Sequence, residues 1–125
     1  MATVGGNQIR ETMIAGADLS AKQWTFVIGN TTDRTVVNAT DGQAADGVLI
    51  NNPTSGAAAT VVTMGRVMVE VGTGGLTAGD AVASAANGEA ITAASGDIVV
   101  GKALETAAAG TRTTIDFFRG GNATA

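Results

Sequence analysis

Apolar and polar residues alternate most cleanly in RVMVEV, residues 66–71. Val67, Val69 and Val71 fall on one side, and Arg66, Met68 and Glu70 on the other, which is the period of a half-buried strand. The same period in WTFVI, residues 24–28, puts Trp24, Phe26 and Ile28 on one face, directed at the core. Further short runs are TVVNA (35–39), GVLI (47–50), ATVVTM (59–64), DAVAS (80–84), EAIT (89–92), DIVVGKAL (97–104) and RTTIDFF (112–118). Turn residues separate them: Pro53 and Gly56, then Gly72, Gly74 and Gly75, then the hairpin dipeptide Asn87-Gly88. No segment keeps a helical period. The pattern predicts an all-β protein, a single small β-barrel-like domain over residues 18–118 built from about nine short strands.

The ends read differently. Residues 1–17 are punctuated by glycine and weakly patterned, and they form an extended N-terminal arm in this reading. Val4, Ile9, Met13 and Ile14 recur along it at intervals that an extended segment could lay into a neighbour's groove. The arm is expected to be removable with little change in Tm. Residues 119–125 form a polar tail. In TIDFF the two phenylalanines take opposite faces, so Phe118 points away from the core and is the candidate for a subunit interface.

A second periodicity is much longer. Gly42, Gly47 and Gly56 are echoed 54 residues later by Gly96, Gly101 and Gly110. The same offset aligns Val37 with Ile91, Ile50 with Leu104, Thr60 with Thr114 and Val61 with Ile115. An internal pseudo-repeat of strand, glycine turn and strand accounts for this, with glycines at tight turns or bulges.

Composition narrows the function. Of the 125 residues 24 are alanine, with one Trp, three Phe and no Tyr. Such a chain buries little area per residue, so its core is thin and burial against copies of itself or a partner would help it. The net charge is −4 and the basic residues stand singly, which argues against nucleic acid as a partner. No apolar run is long enough to span a membrane, and no signal-peptide pattern opens the chain; synthesis in a cytoplasm is expected.

Reactive groups are scarce. The chain has no His and no Cys, which removes the usual general base, thiolate ligands and Ser-His or Cys-His nucleophiles. Asp41, Asp46, Asp80, Asp97 and Asp116 sit beside glycines or at strand ends, where carboxylates form turns. VGTGGLTAGD (71–80) lacks the lysine of a phosphate loop. No catalytic residue, cofactor, metal site or small-molecule substrate is expected, and the protein does not read as an enzyme.

The pieces DGVLINNPTSGAAATV, LTAGDAVASAANGEAITAASGD and IVVGKALETAAAG, in this order and spacing, resemble the small capsid decoration (cement) proteins of tailed bacteriophages. The resemblance covers residues 18–118. It implies a β-barrel-like fold, a homotrimer on the capsid exterior of the virion, the major capsid protein as partner, a role in stabilising the shell, and no enzymatic activity. Under it Val4, Ile9, Met13 and Ile14 are capsid-contact candidates. The alternative is a carbohydrate-binding β-module on a virion or cell surface, which an exposed Trp24 would favour.

Overall fold

The computed structural model describes residues 8–29 and 33–118. Nine strands make one hydrogen-bonded sheet: β1 (Gln8–Ala15), β2 (Phe26–Gly29), β3 (Thr35–Asn38), β4 (Gly47–Leu49), β5 (Ala58–Glu70), β6 (Ala81–Ser84), β7 (Ala90–Thr92), β8 (Gly101–Ala103) and β9 (Arg112–Phe117). Among the described residues there is no helix. The all-β expectation holds. The strands, however, are not the same nine: ATVVTM and RVMVEV are one continuous strand, β5, and β1 takes the vacated place in the count.

The order across the sheet is β1-β3-β2-β4-β5-β9-β8-β6-β7, and β1 also pairs with β5. That extra pairing closes β1, β3, β2, β4 and the first half of β5 into a ring. The second half of β5 continues into a second ring through β9, β8, β6 and β7. This ring is closed by a parallel bridge between Val71 and Ala90, where Gly72 N donates to Ala90 O at 2.7 Å.

The two rings repeat one another residue by residue. Val48 pairs with Val62 and Leu49 with Val61; 54 positions on, Lys102 pairs with Asp116 and Ala103 with Ile115. Ile28–Val37 and Gly29–Val36 are matched by Ala83–Ile91 and Ser84–Ala90, with β6 displaced by 55 from β2. Arg10–Val62, Glu11–Val61 and Met13–Ala59 are matched by Arg66–Asp116, Val67–Ile115 and Val69–Thr113, with an offset of 56 on the first partner. Even the parallel closures correspond, Ala15–Val36 and Val71–Ala90. The counterpart of β1 is therefore the second half of β5. The register of β1 against β5 slips between Ile9 and Arg10, leaving Thr63 extra, and Gly65 has φ 112. This bulge marks the point where β5 leaves one ring for the other.

Residues 8–15 thus correct the picture of an arm. Ala15 is buried and Met13 packs beside it, in a cluster with Leu19, Val27, Val36, Leu49, Ala59 and Val61. Without β1 that cluster has an open side, so the strand belongs to the folded unit. Residues 1–7 of the proposed arm and the 119–125 tail lie outside the described residues. The larger cluster fills the second ring with Val67, Val69, Val71, Leu76, Val82, Ala103, Ile115 and Phe117, and it extends to Phe26, Val48 and Val62 on the outer face of the first ring. Phe26 and Phe117 stack with centroids 6.0 Å apart across this junction.

Candidate functional site

Among the described residues the large exposed apolar side chains are Ile9, Ile14, Met64, Met68 and Phe118, and three of them lie side by side. Ile9 is paired directly with Met64, so the two side chains share a face. Gly65 is paired with Phe117, and one step further along that antiparallel register Phe118 stands opposite Met64. Phe117 is buried, so Phe118 projects outward. Ile9, Met64 and Phe118 are 55%, 49% and 38% exposed. Single exposed apolar residues are ordinary; three large ones abreast on adjacent strands are not. The next rungs along β5 are Arg66 with Asp116, where Arg66 Nε donates to Asp116 Oδ1 at 3.2 Å, and Met68, itself exposed, with Thr114.

The contact candidates from the sequence therefore divide. Ile9 and Phe118, chosen from opposite ends of the chain, meet in the row. Met13 points inward and is partly buried. Ile14 is exposed, but on the face of β1 opposite to Ile9, beside Ala58. Val4 lies outside the described residues. Met64 escaped the sequence reading, although the 54-residue offset sets it in register with Phe118.

Most carboxylates hold turns or cations. Asp46 Oδ2 accepts from Gly29 N at 2.6 Å, Asp80 Oδ2 from Thr77 N and Thr92 Oγ1, and Asp97 Oδ2 from Ala94 N. Glu70 meets Arg112 at 2.6 Å and Glu11 meets Arg34 at 3.8 Å. Asp18 is held below the ordinary aspartate range by hydrogen bonds from the Ser20 side chain and then its backbone N–H. Among the described residues no group of carboxylates is placed to hold a metal ion.

Trp24 departs from the sequence reading. It lies outside any strand, half-buried, at φ 72, and not among the core residues. Phe26 and Ile28 share the larger cluster and Val27 the smaller, as the alternation predicts, but Trp24 precedes β2 and does not continue it. Its indole lines a concavity of about 410 Å³ with Gln8, Arg10, Ile50, Arg66, Val67, Met68 and Thr114. Gln8 Nε2 donates to Arg66 O at 2.7 Å, and Arg10 Nε donates to Gln8 Oε1 at 2.9 Å, which ties the two arginine positions together.

The fold has been seen before. A similar solved structure is the N base of the head fiber gp8.5 in bacteriophage phi29, with a TM-score of 0.73 and 19% sequence identity over 90% of this chain and 96% of that one. At that identity the likeness is one of fold. No family model matches the chain, and no curated protein matches it.

Proposed function

We propose that this protein is a structural virion protein: a capsid decoration, or cement, protein. In this reading it binds the major capsid protein on the outer surface of a phage head as a homotrimer, stabilises the shell and catalyses nothing. The observation that carries the proposal is the row of Ile9, Met64 and Phe118, an exposed apolar centre with a charged rim, the anatomy of a protein–protein interface. The likeness to a phage head-fiber base supports it, as does the engagement of the carboxylates in turns and surface ion pairs. A specific interface buries about 1,600 Å² in total, so the row would be its centre and the Arg66–Asp116 rung part of its rim. Many copies on one lattice would add avidity to a weak single contact.

The test is a variant carrying Ile9→Ser, Met64→Ser and Phe118→Ser. Surface exchanges of this kind change stability by about 0.5 kcal/mol each or less. The fold should therefore persist by circular dichroism. Co-sedimentation with capsids, or trimer formation in sedimentation equilibrium, should weaken at least tenfold, equivalent to about 1.4 kcal/mol. A folded variant that keeps both the association state and the capsid binding of the parent overturns the proposal.

A further inference from the structure

The duplication exposes an anomaly at Trp24. Its backbone N–H donates to Leu49 O at 2.6 Å, and Gly79 N–H donates to Ala103 O at 2.8 Å. Leu49 N donates to Thr25 O, and Ala103 N to Asp80 O, each at 2.9 Å. Trp24 and Gly79 are thus the same position in the two rings, 55 residues apart, and both take positive φ, 72 and 92. The second ring uses the residue that adopts this conformation without strain. The first ring uses the bulkiest side chain there is, in a conformation that L residues rarely adopt. It is the chain's one Trp.

The same comparison isolates Arg10. It is the counterpart of Arg66, but where Arg66 faces Asp116 across the strand pair, Arg10 faces Val62. Of the described arginines, Arg34, Arg66 and Arg112 are in ion pairs and Arg10 is in none. Its Nε is oriented by Gln8, so its Nη donors remain for an acceptor outside the chain. Trp24, Arg10 and Thr114 line one concavity of about 410 Å³, within the range of small-ligand sites.

We propose that the Trp24–Arg10 concavity binds a carboxylate-bearing sugar unit, such as a hexuronate of an acidic polysaccharide. The C–H face of a pyranose ring would lie on the indole and the carboxylate would meet Arg10, whose bond to Gln8 presets the fork. Arg66 is already partly neutralised by Asp116, so Arg10 supplies the net charge. Neutral sugars would lose the charge-assisted bond, and simple carboxylates would lose the ring contact. The site does not depend on the capsid-binding reading, although Arg66 is shared with the rim of that row.

The single Trp makes the test direct. Titration with trigalacturonate should give a saturable change in intrinsic fluorescence with a Kd of about 1 mM or tighter. Maltotriose and citrate should bind at least tenfold more weakly. Arg10→Gln, at an exposed residue with no ion pair, should weaken trigalacturonate binding at least tenfold and leave maltotriose unchanged. Trp24→Gly installs the second ring's own solution; by calorimetry it should keep or raise Tm and abolish binding. No saturable signal up to about 10 mM trigalacturonate overturns the proposal. Equal binding of citrate, or binding indifferent to Arg10→Gln, overturns it as well.

Discussion

Gly47 and Gly101 offer a test of the two-ring architecture in which the sign of the effect decides. Each opens a short strand, β4 or β8, and each is buried. Neither has a positive φ, so alanine is compatible with both backbones. At an open site with such a backbone, Gly→Ala stabilises by about 0.4–1 kcal/mol, because the unfolded chain loses freedom. Here the neighbouring strand is too close. A Cβ on Gly101 would stand 2.5 Å from Asp116 O and 3.1 Å from Ile115 Cδ1. A Cβ on Gly47 would collide with Val61 Cγ1 and stand 2.8 Å from Val62 O. Val61 and Ile115 are counterparts, so the same close approach is built twice. The carbonyls belong to paired strands and cannot swing away, and overpacking of this kind costs about 1–3 kcal/mol. With the entropic gain subtracted, each variant should lose about 1–2 kcal/mol. At this chain length that is a fall in Tm of roughly 4–12 °C in a thermal melt followed at a strand wavelength. The larger fall is expected for Gly101→Ala, whose closest neighbour is a backbone carbonyl rather than a side chain. A melting temperature equal to the parent's, or higher, would refute the close approach at that ring.

Three further outcomes follow from the same geometry. Deleting residues 1–16 removes the strand that closes the first ring, so the thermal transition should move far down or lose cooperativity; an unchanged melt would return residues 8–15 to the status of an arm. Val69→Asp places an unpaired carboxylate where the side chain is fully buried, a loss of about 4 kcal/mol or more, and a folded variant by circular dichroism would contradict the placement of Val69. Ser20→Ala should raise the Asp18 pKa part of the way to the ordinary aspartate value by NMR titration, because the side-chain bond is lost and the bond from the residue 20 backbone N–H stays. Since the folded-state pKa of Asp18 is depressed, its contribution to stability is present above the unfolded-state pKa and is lost as pH falls through the folded one; a pKa unmoved by Ser20→Ala would discount the hydroxyl.

What was legible in the sequence, and what was not, has physical causes. The valines of RVMVEV line the second ring as their alternation suggests, because that half of β5 is buried on one face only. The offset of 54 found β3, β4 and β8–β9 correctly, since those segments keep an equal length in both halves. It missed β1 because one-residue length differences move the offset to 55 at β2 and 56 at β1. Polar substitution hid it further: Glu11 and Thr12 stand where the second copy has Val67 and Met68. Trp24 misled because the period of β2, which holds for Phe26, Val27 and Ile28, stops short of it, and because nothing local in WTFVI announces a glycine-like backbone. The row of Ile9, Met64 and Phe118 could not be read at all without register, since its members are about 50 residues apart and are joined only by strand pairing.

The two rings also occupy consecutive stretches of the chain. The first is complete once Gly65 is in place; the second needs everything from Gly65 to Phe117. On a ribosome, then, the first ring can close before the strands of the second exist. Its outer face, with Phe26, Val48 and Val62, is meanwhile without the Phe117 that covers it in the finished fold. At the usual pace of synthesis the missing stretch takes roughly 3–11 s to appear. For that interval the nascent chain displays an uncovered apolar face of its own making, and crowding between neighbouring nascent chains is a hazard at that stage.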